Sequence, residues 1–215
     1  MATSVDRQIC FRLAAAGPAP SPKGQLRLGD AQAEALSAAS LAFARLGASP
    51  LEDTACSGLM RIATEEVLHE RMLRGLRRTL PPPARDKELR RAMLHFYHGI
   101  ARVDLGLHLA SIASLDSAVC RILAALLAPG CVLAQEPTVV AIFRRIHRDE
   151  AGHVRTSRRM AAALAPRQAI GLVAESTRSG LVGVLARRGA SFERLGIDPG
   201  RLFLRLGRVP DGLFP

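Results

Sequence analysis

The residues of this chain best suited to metal chemistry occur in two copies of the motif Glu-x-x-His. They are Glu66-Val-Leu-His69 and Glu150-Ala-Gly-His153. Residues three positions apart lie on one face of a helix, so each pair presents a carboxylate and an imidazole in the same direction. Carboxylate and imidazole groups together suit iron or manganese. Two such pairs that face each other would therefore form a metal site.

Both pairs interrupt the apolar seam of a predicted helix. An ionised carboxylate among apolar side chains costs several kcal/mol unless it is paired or bound to a metal. Finding this arrangement twice, each time with a histidine one turn further on, predicts a positive charge between the two helices. The earlier seam consists of Ala55, Leu59, Ile62, Glu66, His69, Leu73 and Leu76. The later seam consists of Val139, Phe143, Ile146, Glu150, His153, Ser157, Met160 and Leu164.

Two further carboxylates lie at the depth that such a site requires. Side chains of antiparallel neighbouring helices meet when they are equally far from the turn that joins the helices. The midpoint between Asp116 and Glu150 falls inside a predicted turn, and so does the midpoint between Glu34 and Glu66. Asp116 and Glu34 are therefore predicted to join the two pairs.

Helices must position all of these residues, because the chain lacks the alternating apolar pattern of strands. The composition is 48% hydrophobic with no tryptophan. Pro81 to Pro83 end one predicted helix, and Pro137 suits the first turn of another. An all-α fold is therefore predicted. Its helices cover about 28–46, 54–80, 86–128 with a break at Gly99 or Gly106, 137–164, 167–190 and 198–206.

The predicted site takes one carboxylate from each of two helices and one Glu-x-x-His pair from each of two others. This arrangement resembles the ligand pattern of the ferritin-like di-iron carboxylate superfamily. The resemblance covers about residues 28–165 and is carried by Ala-Thr-Glu-Glu-Val-Leu-His-Glu and Ile-His-Arg-Asp-Glu-Ala-Gly-His. It implies a four-helix bundle with a long crossover, near residues 81–100, between its second and third helices. It also implies two iron ions, with manganese or a mixed pair as alternatives. The implied ligands are Glu34, Glu66, His69, Asp116, where glutamate is more common, Glu150 and His153.

The resemblance also assigns roles around the ligands. In that superfamily an acidic residue just before a ligand often supports a histidine of the facing helix, which makes Glu65 and Asp149 candidates for this role. Their partners would be His69 and His153. His147 corresponds to an additional histidine ligand of some relatives, but it points about 60° away from the seam, which favours a surface position.

The chain divides into three predicted regions. Residues 1–27 form an irregular leader, residues 28–165 form the metal-binding bundle, and residues 166–215 form a helical extension packed on it. The N-terminus has no secretory pattern, no run of about 18 apolar residues indicates a membrane span, and the four cysteines form no C-x-x-C pair. The expected location is therefore the cytoplasm.

Oxygen activation is the function that the resemblance favours most. A centre of this kind uses O2 as a co-substrate, and the C-terminal helices would close a pocket for a small organic or carrier-bound substrate. The expected enzyme is an oxygenase or oxidase. Its catalytic carboxylates would be Glu34, Glu66, Asp116 and Glu150. Its candidate pocket residues are Ala38, Leu41, Ile62, Ala113, Cys120, Phe143 and Ile146.

Other functions remain open on the sequence. A ferroxidase or iron-storage protein, a peroxide-reducing protein and a manganese catalase use similar ligands, whereas a helical scaffold or partner subunit would bind no metal. No flavin or iron–sulfur motif is present, so a separate electron donor is implied. Helical bundles of this kind often pack as homodimers.

The formal net charge of +11 suits an acidic carrier protein or another anionic partner. Nearly all of the basic residues are arginines, and they are spread over every predicted helix without interleaved aromatic residues. This distribution is typical of solvated helix surfaces. It disfavours nucleic-acid binding.

Overall fold

A computed structural model of the protein describes residues 53–79 and 86–214. Every regular element within these ranges is helical, which confirms the all-α class for them. Short 3-10 turns at Val132–Gln135 and Ala186–Arg188 precede the fourth and sixth α-helices. The α-helices are α1 (Asp53–Arg78), α2 (Lys87–Ile100), α3 (Leu105–Leu126), α4 (Pro137–Leu164), α5 (Arg167–Leu185), α6 (Gly189–Arg194) and α7 (Pro199–Gly207).

The predicted leader and the first predicted helix, which together cover residues 1–46, lie outside the described residues. Glu34, Ala38 and Leu41 belong to that part of the chain. The limits of the three predicted regions therefore stay predictions. In the C-terminal region, α5 and α7 both contact α3.

The helix α3 lies at the centre of the fold. It is rich in alanine, leucine and isoleucine, and buried residues occur on all of its faces. Helix α4 packs along one side of it and α5 along another. Two apolar clusters result, a larger one that includes Ile122 and Phe143 and a smaller one that includes Ile62 and Leu109. Burial of apolar surface, at about 25 cal/mol per Å², favours this central position for α3.

The direction of the helices explains the path of the chain. A short connection over residues 127–136 joins α3 to α4, so these helices run antiparallel. Gly58, early in α1, lies against Thr156, whereas His69, later in α1, lies against Asp149. Helix α1 therefore also runs antiparallel to α4 and parallel to α3. The chain between α1 and α3 therefore has to return toward the level at which α1 begins, and α2 lies within that connection. The crossover of a four-helix bundle stays a prediction.

Short polar side chains and prolines define where several helices begin. Asp86, Asp104 and Asp198 accept hydrogen bonds from backbone N–H groups in the first turns of α2, α3 and α7, respectively. Such caps stabilise a helix by about 1 kcal/mol each. Pro137 occupies the first turn of α4, as predicted.

Two predicted helix boundaries are wrong. The break expected at Gly99 or Gly106 falls over residues 101–104, because the capping aspartate at the end of that segment begins α3. Gly106 lies inside α3, where a Cβ atom would come within 2.9 Å of Leu164. The helix predicted over 167–190 ends at Leu185 and is followed by a 3-10 turn and α6.

Helix α3 and the stretch Arg167–Arg194 are long and apolar enough to cross a membrane by length and composition alone. Neither stretch is an unbroken apolar run, because α3 contains Asp116 and Arg121 and the second stretch contains Glu175 and Arg178, so the expectation that no such run occurs is not contradicted. The core helix of a soluble protein passes the same test, and 72% of the α3 window is buried inside the protein, compared with 39% for Arg167–Arg194. The absence of a membrane span stays a prediction.

Candidate metal centre

The helices α1 and α4 bring both Glu-x-x-His pairs to one place. Glu66 and His69 are 2% and 0% exposed, and Glu150 and His153 are both 0% exposed. All four lie on the helix faces that carry the buried apolar residues of the two seams. Apolar packing above and below the pairs therefore brings four ionisable side chains together in the interior.

Each glutamate of this cluster reaches both histidines. The two oxygens of Glu66 lie 3.6 Å from Nδ1 of His69 and 3.1 Å from Nδ1 of His153. The two oxygens of Glu150 lie 3.4 Å and 3.6 Å from the same two nitrogens. The cluster is therefore nearly symmetric, with each carboxylate spanning the two imidazoles.

Asp116 extends the cluster from α3. It is fully buried, and its carboxylate oxygens have no hydrogen-bond partner among the described residues. Its ligand atom and those of Glu150 and His153 lie within 4.8 Å of one another. Burial raises the pKa of Asp116 well above its ordinary value, and the charge of Glu150 raises it further. A buried carboxyl group without hydrogen bonds is costly, so this position favours a bound cation.

The outer ring nitrogens of the two histidines face carboxylates of the opposite helix. Nε2 of His69 on α1 lies 3.1 Å from Asp149 on α4. Nε2 of His153 on α4 lies 2.9 Å from Glu65 on α1. A carboxylate that accepts a hydrogen bond from Nε2–H fixes the ring orientation and directs the Nδ1 lone pair toward the centre of the cluster.

Two surface arginines hold these outer carboxylates. Arg145 donates to Asp149 at 2.7 Å, and Arg61 donates to Glu65 at 2.8 Å. Burial tends to raise the pKa of Asp149, but hydrogen bonds from Arg145 and His69 lower it overall. Neither arginine was predicted from the sequence. A signal was present, however, because each arginine lies four positions before its carboxylate on a helix.

The surrounding carboxylates favour the protonated forms of both histidines. Burial lowers the pKa of each imidazole, but the interactions with Glu150 and Glu66 outweigh it. The pKa rises from 6.5 to about 10 for His69 and to about 11 for His153. A metal cation would take the place of these protons, because it binds neutral imidazole and ionised carboxylate.

Two metal positions fit the donor groups of the cluster. Glu66, His69 and Glu150 form one group, and Asp116, Glu150 and His153 form the other. Within each group the ligand atoms lie within 4.8 Å of one another, and Glu150 belongs to both. Oxygen donors with one imidazole at each position suit iron or manganese.

His147 and Glu34 are the remaining predicted ligands. His147 belongs to neither group and is partly exposed, in agreement with the surface position favoured by its direction on the helix. Glu34 lies outside the described residues. Its role as a ligand stays a prediction.

Most of the predicted pocket residues that the structure describes belong to the core. Cys120 differs because it is only partly buried. Burial raises the pKa of its thiol to about 12, and the charges of Glu150 and Asp116 add to that effect. A pocket-lining role for these residues stays a prediction. The fully buried members are Ile62, Ala113, Phe143 and Ile146.

Comparison of the chain with protein-family models, with curated proteins and with solved structures gives no significant match. The centre is therefore characterised by its own geometry. Its principal features are two ligand groups that share one glutamate and two histidines that are each oriented by a carboxylate.

Proposed function

We propose that the protein is a ferritin-like bundle that binds two iron ions and activates O2 to oxidise a small organic or carrier-bound substrate. The observation that carries the proposal is the pair of ligand groups that share Glu150. Ferrous ions in such a ligand set supply electrons for the reduction of O2. The chain's own residues would bind and orient the ions, restrict water and hold the imidazoles in the required tautomer.

The arrangement of the carboxylates supports two ions better than one. Glu66 and Glu150 each direct one oxygen toward His69 and the other toward His153. A single central ion would leave one oxygen of each glutamate unused in an apolar interior. Two ions would use both oxygens of each glutamate, so Glu66 and Glu150 would each help to hold the pair.

The symmetry of the cluster supports a ligand role for Glu34. The group around His153 takes Asp116 from α3, the helix joined to α4 by a short connection. The group around His69 would correspondingly take a carboxylate from the helix that precedes α1. That helix is predicted over residues 28–46, and Glu34 is its carboxylate at the matching depth.

Complete burial of the ligands favours a resident cofactor over iron in transit. The four glutamate and histidine ligands and Asp116 are at most 2% exposed. A ferroxidase that passes iron to a store needs a path for hydrated ions, whereas an oxygenase benefits from a dry site that protects reactive species from water. This contrast supports the oxygenase or oxidase over the iron-storage alternative.

Counting iron tests the proposal. The full chain would be loaded anaerobically with ferrous iron and desalted, and the iron bound per chain would be measured. We expect two ions in the parent protein and the loss of both in Glu150→Ala, because this residue belongs to both ligand groups. Glu66→Ala should lose at least the ion held with His69. The matched control is Glu70→Ala, since Glu70 lies on α1 beside the cluster but is paired with Arg74.

Exposure of the loaded protein to O2 then separates the alternatives. A change in near-ultraviolet absorption that requires both glutamates supports O2 activation at the pair. Continued uptake of many iron ions per chain would favour the ferroxidase alternative. If the parent binds no iron above background and both variants are more stable than the parent, the proposal is wrong and a helical scaffold is favoured.

A further inference from the structure

The outer face of α4 carries a row of arginines. Arg144, Arg148, Arg155 and Arg159, called here the arginine stripe, are all exposed. None of them forms an ion pair with the residues that the structure describes. Their spacing places them on one side of the helix over about 22 Å. A concentrated positive surface of this kind attracts an acidic partner and raises its rate of association.

An open surface depression adjoins the arginine stripe. Its lining comes from α1, including Arg71, Val67 and Leu68, with Arg145 as the one contribution of α4. Val67 is 47% exposed and Leu68 is 40% exposed. The depression and the stripe meet where Arg61 and Arg155 both approach Gly152. Exposed aliphatic groups bordered by arginine are typical of protein–protein interfaces, in which arginine is enriched.

The same face is connected to both histidines of the cluster. Arg145, which lines the depression, donates to Asp149, and Asp149 contacts Nε2 of His69. On the facing helix, Arg61 donates to Glu65, which contacts Nε2 of His153. Each route consists of two contacts of 3.1 Å or less. The surface between α1 and α4 is therefore linked to both metal positions through short polar contacts.

We infer that this face is the docking surface for an acidic one-electron donor protein. The inference rests on the proposed function. At each encounter the donor loses one electron, and two such encounters reduce two ferric ions to two ferrous ions. No covalent bond forms or breaks. The arginine stripe attracts the donor, the depression around Val67 and Leu68 fixes its position, and the two carboxylate–histidine contacts provide connected paths inward.

A donor protein fits this surface better than a nucleic acid does. The depression presents valine and leucine side chains, whereas surfaces that bind single strands present aromatic groups for base stacking. The residues that line the depression include no aromatic side chain. The two carboxylate–histidine routes also have no purpose in nucleic-acid binding.

Electron-transfer kinetics test the inference with the iron-loaded full chain. The probe is a reduced, acidic [2Fe–2S] ferredoxin, and the readout is loss of ferric absorption by stopped flow at low salt. The charge-reversal variant is Arg148→Glu combined with Arg155→Glu. The matched control is Arg167→Glu combined with Arg187→Glu, because both arginines are exposed and lie on or next to α5. Reduction by dithionite in about 0.5 M salt, where surface charges are screened, reports the metal pair itself.

We expect the stripe variant to be reduced by ferredoxin about 10-fold more slowly than the parent, with the control within about 2-fold. Dithionite should reduce all three proteins equally. Equal rates with ferredoxin for all three would overturn the inference. It would also be overturned if a short DNA duplex bound the stripe more tightly than oxidised ferredoxin does. If the parent binds no iron, the proposed function is wrong. Docking is then measured by the fluorescence anisotropy of labelled ferredoxin. Equal ferredoxin binding by the parent, the stripe variant and the control would overturn the docking inference.

Discussion

Two buried groups of charged side chains lie on different sides of α3, and only one of them contains a carboxylate, that of Asp116, without a hydrogen bond from the described residues. Arg178 of α5 is fully buried, yet its guanidinium donates to Ser114 at 3.2 Å, to Ser117 at 2.8 Å and to the carbonyl of Leu206 at 3.2 Å. Asp116 lies between the two serines in sequence and points about 100° to 160° away from them. Its oxygens receive no hydrogen bond from any described residue.

Neutral groups take the place of a counter-ion around Arg178. The carbonyl of Leu206 belongs to the last turn of α7, where the helix dipole places partial negative charge. Arg121 donates to a carbonyl of the same turn. Burial lowers the pKa of Arg178 to about 10, and the charge of Arg121 adds to this effect, so the guanidinium is still protonated at neutral pH.

The difference distinguishes a charge held by fixed hydrogen bonds from a group of ionisable side chains that could hold a cation. Fixed hydrogen bonds around Arg178 connect α3, α5 and α7 in one arrangement. The carboxylates and imidazoles on the other side of α3 instead direct donor atoms at one another across 3.1 to 3.6 Å. A buried polar group without a partner costs about 1–3 kcal/mol, so Asp116, whose oxygens receive no hydrogen bond from the described residues, would gain most from a bound cation.

The largest expected contrast between the clusters is in their response to pH. Without metal, the pKa values of His69 and His153 are about 10 and about 11, above the unfolded value of 6.5. Their stabilisation is therefore complete below pH 6.5 and is lost as the pH rises through the folded-state values. Differential scanning calorimetry should show a lower Tm for the metal-free protein at about pH 9 than at about pH 6.5.

Two comparisons make this pH test specific to the histidine cluster. The pKa of Arg178 is lowered from 12.5 to about 10 and that of Cys120 is raised from 9.0 to about 12, so both shifts act above the tested range. His147→Gln should keep the fall in Tm, because His147 lies outside the ligand groups, whereas His153→Gln should reduce it. Iron affinity should increase over the same range as protons leave the ligands. A Tm that is constant or rises in the metal-free parent would contradict the prediction.

Replacing Arg178 tests whether that charge is structural. We expect Arg178→Met to lower the free energy of unfolding by about 2–4 kcal/mol, because two serine hydroxyls and one carbonyl lose their donor. Arg178→Lys should recover only part of this, since an ammonium group cannot reproduce the three-way fork of a guanidinium. The measurement is urea unfolding, with the exposed Arg167→Met as the control. A variant of normal stability that has lost iron would show that Arg178 belongs to the metal site.

The sequence predicts one of these clusters well and the other poorly. Glu66 and Glu150 stand out because they interrupt apolar seams, and helical spacing places each histidine beside its glutamate. Arg178 also interrupts an apolar seam of α5, between Ala174 and Leu181, so the same test would have found it. Its partners could not have been predicted, because a backbone carbonyl at the end of another helix has no signature in the sequence.

The helix boundaries show the same difference: features set by local sequence are predicted, and features set by tertiary packing are not. Pro137 has a direct local effect, so the start of α4 was predicted correctly. The break before α3 was placed at a glycine, although glycine only permits a break, whereas the side chain of Asp104 forms the hydrogen bond that begins the helix. Gly106 is required for a different reason, the close approach of Leu164, which depends on tertiary packing.

Replacing the carboxylates that orient the histidines should have a smaller effect, and only on the affinity for iron. Asp149→Asn and Glu65→Gln should each lower the affinity for ferrous iron by about 10- to 100-fold, because a neutral amide replaces the charged acceptor that fixes the tautomer and raises the basicity of the imidazole. The stoichiometry at saturating iron should stay the same. Isothermal titration under anaerobic conditions measures this, with Glu70→Gln as the control. An unchanged affinity in both variants would mean that these contacts have no role in orienting the ligands.

The smallest effects compare Asp116 directly with a partner of Arg178. Asp116→Asn keeps the shape of the side chain but removes the buried charge, so the metal-free protein should gain up to about 1 kcal/mol of stability. Ser117→Ala removes an acceptor that Arg178 uses and should lose about 1 kcal/mol. Both values come from urea unfolding of the metal-free proteins, and iron counting should show one ion missing in Asp116→Asn alone. If Asp116→Asn is instead the more destabilising change, its carboxylate already has a structural partner, and the distinction between the two sides of α3 is wrong.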